Sequence, residues 1–140
     1  MIITICGSGA FEKEMVEYKQ KLQNLKHEAI IHPDYEAFVK GEKKDLWNQI
    51  QNDHATAKKE NNYIKWYYNA IVNSDAILVL NFDKNDIANY IGGNTLMEIG
   101  FAHVHGKKIY LLQGIPKVSY SDEILAMYDK ILNNDLKKIQ

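Results

Sequence analysis

The stretch that decides the fold is Gly92-Gly93-Asn94-Thr95-Leu96-Met97-Glu98-Ile99-Gly100. It follows an apolar run at residues 76–80 and begins a segment in which Leu96, Ile99 and Val104 recur with helical spacing. This order predicts a buried strand, a glycine-bearing loop, and a helix with a carboxylate, Glu98, in its first turn. In a parallel α/β sheet such a carboxylate projects over the carboxyl ends of the strands, where ligands bind.

A second glycine-bearing loop, Gly7-Ser8-Gly9, follows the first apolar run of the chain. Its amides and the Ser8 hydroxyl could cradle an anion, although a tight turn between a strand and a helix explains the same residues. The loop is not a G-x-G-x-x-G fingerprint, because Glu12 stands at the last position, and it is not a P-loop.

Apolar runs alternate with helical patterns along the chain, which predicts a parallel sheet with right-handed crossovers. Five strands in a chain of this length favour a flavodoxin-like α/β three-layer sandwich with strand order 2-1-3-4-5. Its switch point lies between strands 1 and 3, so the two glycine loops are expected to meet at one crevice. The predicted strands are 2–6, 29–31, 76–80, 109–112 and 130–132, and the predicted helices are 11–26, 63–73, 95–105 and 122–128.

Residues 32–62 form the least regular part of the pattern. Residues 45–51, with Leu46, Trp47 and Ile50, are compatible with a helix, but their flanks are polar. Loops of this length in compact domains often act as lids or binding loops.

Composition sets limits on the class of protein. The chain has 140 residues, 46% hydrophobic and 25% charged, which predicts one domain over residues 1–140. A net charge of −1 predicts neither nucleic acid nor a membrane surface as a partner. All 17 basic residues are lysines, so a phosphate has to be held by amides, hydroxyls or lysine rather than by a guanidinium. The single Cys6 and a first apolar run too short for a signal peptide predict a cytoplasmic protein.

Glu98 admits two interpretations that do not exclude each other. Thr95-x-x-Glu98 has the spacing of a capping box, with Thr95 as the N-cap. Alternatively, a carboxylate at the mouth of a crevice can act as a nucleophile or base, and a helix N-terminus favours its ionised form.

Other reactive side chains give weaker signals. His103 and His105 point to different helix faces and have no third ligand nearby, so we expect no metal and no cofactor. His32, after the second strand, is better placed near the crevice. The aromatic group Tyr63, Trp66, Tyr67 and Tyr68 is mostly core by its spacing, with one member available to stack on a base.

Three segments of the chain, within about residues 1 to 112, resemble the nucleoside 2-deoxyribosyltransferase superfamily, including its 2′-deoxynucleoside 5′-phosphate N-hydrolase branch. They are Ile5-Cys6-Gly7-Ser8, Asn73-Ser74-Asp75-Ala76-Ile77-Leu78-Val79, and Met97-Glu98-Ile99-Gly100-Phe101-Ala102 followed by Gly106-Lys107-Lys108. The first resembles the hydrolases' phosphate-binding loop. The last resembles the family's Glu-Leu-Gly-x-Ala…Gly-Lys signature.

The resemblance implies that Glu98 attacks C1′ of a (deoxy)nucleoside or its 5′-monophosphate and displaces the base, as in retaining glycosidases. The deoxyribosyl group then passes to water or to another base. The expected substrate-binding residues are Gly7, Ser8, Gly9, His32, Gly93 and Asn94. The resemblance also implies a homo-oligomer, in which residues 114–121 of a neighbouring subunit complete the pocket.

Three positions depart from the family pattern. Tyr67 occupies the place of an aspartate that assists departure of the base, Gly92 that of an Asp or Ser in the loop, and Ala10 that of an arginine. Either another group supplies the proton (the Tyr67 hydroxyl, Asp34 or Asp83), or the activity is weak, altered or absent. With no arginine, we expect only a weak preference for a 5′-phosphate.

The sequence therefore predicts an N-glycosidase or deoxyribosyltransferase that acts through Glu98, with Tyr67 as its second catalytic residue. One alternative is a catalytically silent nucleotide-binding module of the same fold. Another is a phosphoribohydrolase, because Gly92-Gly93-Asn94-Thr95-x-x-Glu98 is similar to the Pro-Gly-Gly-x-Gly-Thr-x-x-Glu loop of cytokinin-activating enzymes. It is one residue shorter and lacks the proline.

Overall fold

A computed structural model describes the backbone of residues 1–140 and all side chains except those of residues 58–61. Five strands and seven α-helices are present among the described residues. The strands are β1 (Ile2–Gly7), β2 (Glu28–Ile30), β3 (Ala76–Leu80), β4 (Lys108–Leu111) and β5 (Lys130–Ile131). The helices are α1 (Glu12–Asn24), α2 (Pro33–Val39), α3 (Lys44–Asn52), α4 (His54–Asn61), α5 (Tyr63–Val72), α6 (Gly93–Val104) and α7 (Ser121–Met127). Short 3₁₀ turns at Gly9–Phe11 and Leu136–Lys138 complete the chain.

The strands form one all-parallel sheet in the order β2-β1-β3-β4-β5, which confirms the predicted fold class and strand order. The central strand β3 is buried along its whole length, as expected for a strand covered by helices on both faces. The side chains of β3 alternate between the two faces of the sheet: Leu78 packs on the α1 side, whereas Ile77 and Val79 pack in the cluster formed with α5, α6 and α7.

The least regular part predicted from the sequence is in fact helical. Residues 32–62 contain α2, α3 and α4, none of which is longer than nine residues. They begin at local caps rather than at long apolar periods: His32 caps α2 ahead of Pro33, and the Asp53 side chain accepts from the Thr56 amide at the start of α4. Of these three helices, the sequence indicated only α3, as a segment at residues 45–51 compatible with a helix.

Glycine is required at the end of β1 because two backbones approach closely there. Gly7 pairs with Leu80 of β3, and a Cβ at position 7 would lie 2.9 Å from the Leu80 carbonyl oxygen. By contrast, nothing lies within 4 Å of a Cβ built on Gly100 in α6. Gly7 therefore fixes how the two central strands meet.

The helices give no sign of a membrane span. None of those described has both the length and the apolar character needed to cross a bilayer.

We expect Gly7→Ala to lower the free energy of unfolding by about 1–3 kcal/mol, because the new methyl group overpacks against an immobile strand backbone. Gly100→Ala is the matched control, and it should leave stability unchanged or raise it by up to about 1 kcal/mol through helix propensity. Urea denaturation of the three proteins measures both effects. A Gly7→Ala protein as stable as the wild type would contradict this account of the β1–β3 contact.

Candidate functional site

A cavity of about 470 Å³ opens beyond the carboxyl ends of β1, β2 and β3. This volume lies within the range of small-molecule sites. Both glycine loops contribute to its wall, Ser8 and Gly9 from the first and Gly92 and Gly93 from the second. The remaining lining residues are Ala10, Glu12, His32, Asp34, Tyr35, Phe38, Trp47, Ile50, Gln51, His54, Tyr63, Tyr67, Lys84, Tyr90, Asn94 and Thr95.

The start of α6 differs from the predicted capping box. The helix begins at Gly93 with Gly92 as its N-cap, so Thr95 is the third helical residue and not the cap. Glu98 accordingly lies in the second turn, one turn deeper than predicted. The capping-box interpretation is wrong because the helix begins two residues before Thr95, at Gly93. Thr95 therefore lies inside the first turn, where it cannot be the N-cap.

Glu98 is not among the described residues that line the cavity. Its side chain is buried, with only 3% of the residue exposed. Burial, with a smaller contribution from the Glu98 charge, raises the pKa of Tyr35 and Tyr67, which line the cavity, and of the buried Cys6 of β1. The carboxylate therefore influences two tyrosines of the cavity wall.

Tyr67 is held at the end of β2. Its hydroxyl oxygen accepts a hydrogen bond of 3.3 Å from the His32 amide. Burial raises the pKa of Tyr67 well above its ordinary value, and the neighbouring Tyr35 and Glu98 raise it further. Tyr67 is thus a neutral phenol at physiological pH, which can donate its proton in a hydrogen bond.

His32 is also neutral and has a defined orientation. Its Nδ1 accepts the Asp34 amide proton at 3.0 Å, which leaves the other ring nitrogen, Nε2, as the donor. Burial lowers the pKa of His32, and this effect outweighs the opposing influence of the Asp34 carboxylate. The ring packs at 4.7 Å from that of Tyr63 and at 4.6 Å from that of Trp66.

Asp34 is the buried anion of this side of the cavity. Lys43 Nζ donates to one carboxylate oxygen at 2.6 Å, and the Tyr63 hydroxyl donates to the other at 2.7 Å. Burial raises the pKa of Asp34, but the bonds from Lys43 and Tyr63 together lower it below its ordinary value. The carboxylate is therefore ionised at neutral pH, which removes Asp34 from the candidate proton donors.

Lys84 is a cavity residue that the sequence analysis missed. Its Nζ donates to Ser8 Oγ at 2.7 Å and lies 5.2 Å from the centre of the Tyr90 ring. It stands on a hairpin in which Lys84 and Ile87 exchange backbone hydrogen bonds around Asn85 and Asp86, both with positive φ. The Asn-Asp pair is the local signal for such a turn, but it does not indicate what the turn faces.

Of the other predicted substrate-binding residues, one lines the cavity and one does not. Asn94 lies in the cavity wall, whereas Gly7 lies outside it, in the β1–β3 contact. His105 hydrogen-bonds the Tyr68 hydroxyl at 2.9 Å on the outer surface. No group of three metal-ligating side chains is present among the described residues.

Comparisons with known proteins extend the fold assignment. No protein-family model matches the sequence, and no curated protein matches it. The structure of the CMP N-glycosidase BcmB from Clostridium botulinum is similar, with a TM-score of 0.51 and 19% sequence identity over 99% of this chain and 94% of that chain. At this identity the likeness shows a common fold.

We expect Asp34→Asn to lower the free energy of unfolding by about 1–3 kcal/mol at pH 7, since it removes a charged partner of two hydrogen bonds. Because the folded pKa of Asp34 lies below its ordinary value of 3.8, this contribution is complete above pH 3.8 and disappears as the pH falls through the folded pKa. Denaturation of both proteins as a function of pH measures it, with the exposed Asp45→Asn as control. A difference between wild type and Asp34→Asn that stays constant down to pH 2 would contradict this assignment.

Proposed function

We propose that this protein cleaves the N-glycosidic bond of a nucleoside or nucleotide, with Glu98 as the nucleophile. The observation that carries the proposal is the position of Glu98, a buried carboxylate one helical turn below Asn94 and Thr95 in the cavity wall. The sequence resemblance of the segment around Glu98 and the shared fold with a CMP N-glycosidase support the same chemistry.

The reaction follows the logic of a retaining glycosidase. A Glu98 oxygen forms a bond to C1′ while the bond from C1′ to the base nitrogen breaks, and its electron pair leaves with the base. The departing base takes a proton from a donor in the site. Water, or a second base, then attacks C1′ and gives up a proton to the deprotonated donor, while the bond from C1′ to Glu98 breaks and its electron pair returns to the carboxylate.

Tyr67 is our candidate for the proton donor or for the group that hydrogen-bonds the leaving base. Asp34 is ionised, whereas Tyr67 keeps its proton because its pKa is raised. Its hydroxyl oxygen accepts from the His32 amide, and its side-chain hydrogen bond with Tyr35 directs its proton toward the Tyr35 hydroxyl in the cavity wall. This arrangement suits a residue in the place of an acidic side chain.

One feature of the cavity favours a second candidate function, a silent nucleotide-binding module. Glu98 is buried and is not among the described lining residues, so the sugar can reach the carboxylate only if side chains of the cavity wall move. If those side chains stay in place, the cavity binds a nucleotide without cleaving it. Turnover measurements distinguish the two functions.

A homo-oligomer remains a prediction. Residues 114–121 contribute nothing to the cavity among the described lining residues, and the Tyr120 hydroxyl donates to the Ile91 carbonyl of the same chain. The loop therefore lies against the second glycine loop of its own subunit. The identity of the base and the choice between ribose and deoxyribose are likewise open in this proposal.

We expect Glu98→Gln to reduce base release at least about a thousandfold, since an amide cannot act as the nucleophile. Mass spectrometry of free base, after incubation with a panel of nucleosides and 5′-monophosphates, measures the rate. Glu123→Gln, an exposed substitution on α7, is the matched control and should be fully active. Equal turnover by Glu98→Gln would refute the nucleophile assignment, and a wild type that releases no base would favour the silent module.

We expect Tyr67→Phe to lower kcat by about 10²–10⁴-fold with a smaller effect on KM, because the proton for the leaving base is lost. The wild-type rate should show no decline from Tyr67 ionisation between pH 7 and about 9, since burial keeps its pKa above the ordinary value of 10.0. Tyr68→Phe removes a hydroxyl on the outer surface and serves as control. A kcat for Tyr67→Phe equal to that of Tyr68→Phe would contradict the role.

A further inference from the structure

The wall of the cavity contains a cation, Lys84, although the chain has no arginine. Lys84 Nζ lies 2.7 Å from Ser8 Oγ, so the two glycine-bearing segments are joined by a polar contact across the cavity. Lys84 is the only lysine among the described residues that line this space. We propose that Lys84 and Ser8 bind the phosphate of a nucleoside 5′-monophosphate, and that Lys84 makes the site select the monophosphate over the nucleoside.

The charge of Lys84 is available for an anion. The ion pairs between described side chains join Lys19 to Glu36, Lys21 to Glu17, and Lys43 to Asp34, and none involves Lys84. Its contacts in the cavity are a hydroxyl and the face of the Tyr90 ring. A phosphate oxygen is a stronger partner for an ammonium than a neutral hydroxyl is.

The Ser8 hydroxyl can still donate one hydrogen bond. Its oxygen accepts both the Ala10 amide at 3.2 Å and the Lys84 ammonium at 2.7 Å. A serine oxygen has two acceptor sites and one proton to donate. With both acceptor sites in use, the proton can be donated to an incoming phosphate oxygen beside the ammonium.

The backbone under Lys84 is held rigidly, which suits a specificity residue. Lys84 and Ile87 exchange backbone hydrogen bonds of 3.1 and 2.9 Å, and Asn85 and Asp86 between them have φ of 53° and 59°. These are the features of a type I′ turn. The Tyr90 amide also donates to the Phe82 carbonyl at 3.0 Å, so the loop closes on itself at a second point.

This assignment rests on the proposed function only in that the cavity binds a nucleotide. It does not depend on cleavage of the N-glycosidic bond by Glu98. The sequence-based expectation of a weak phosphate preference depended on the missing arginine, and Lys84 supplies a charge that the expectation did not include. A lysine binds a phosphate as a point charge, without the bidentate geometry of a guanidinium. An arginine at position 84 should therefore preserve the preference, whereas a methionine of similar length should remove it.

Calorimetry with matched ligand pairs tests the proposal. CMP, UMP, AMP and GMP are compared with cytidine, uridine, adenosine and guanosine, in the Glu98→Gln background so that no ligand is consumed. We expect at least one monophosphate to bind about ten- to a hundredfold more tightly than its nucleoside. Lys84→Met should reduce that ratio to within about threefold, whereas Lys84→Arg should keep it.

Lys108→Met is the matched control, since it removes one charge at the exposed amino end of β4. The cavity lies at the other end of the strands, beyond their carboxyl ends. It should leave the ratio unchanged. Equal binding of monophosphates and nucleosides, a ratio that survives Lys84→Met, or no binding of any ligand would each overturn the proposal. A preference that depends on Lys84, together with a wild-type protein that releases no base, would refute the glycosidase function and leave the phosphate assignment standing.

Discussion

The contact between β1 and β3 is the constraint on which the cavity depends. Gly7 lies so close to the Leu80 carbonyl that no side chain fits between them, and the two strands end side by side. The loops that follow them consequently enter the same space, one with Ser8 and the other with Lys84 and Gly93. A sheet with these strands apart would have the same loops but no shared site.

The strands and their order could be predicted because each buried strand leaves a short, continuous apolar run. The sheet then follows from the alternation of those runs with helices, and the switch-point rule places both glycine loops at one edge. The helices within residues 32–62 escaped prediction because they are short and start from local caps. His32 before Pro33, and Asp53 before Thr56, are signals of that kind.

The depth of Glu98 could not be derived from spacing alone. The separation of Thr95 and Glu98 is the same whether the helix begins at Thr95 or at Gly93, and only the path of the preceding loop decides between them. Lys84 was missed for a different reason. Its contact with Ser8 joins residues 76 positions apart, and no local pattern specifies which loops meet across a cavity.

Burial of Glu98 and its proposed reactivity make opposite demands on the site. A buried carboxylate is protected from water, which favours attack on a sugar carbon, yet Glu98 is not among the described residues that line the cavity. The mobility of the side chains in the cavity wall therefore decides between an enzyme and a silent binding module. Tyr35 and Tyr67 in that wall are neutral, and a neutral phenol moves through an apolar space at a lower free-energy cost than a charged group does.

The stereochemistry of transfer tests the central claim most directly. A nucleotide or nucleoside that the protein cleaves is incubated in buffer containing methanol, and the anomer of the methyl glycoside is identified by NMR. Attack by Glu98 followed by attack of methanol inverts C1′ twice, so the account predicts that the β configuration of the substrate is retained. A methyl glycoside of α configuration would show direct displacement without a glycosyl-enzyme and would contradict the account.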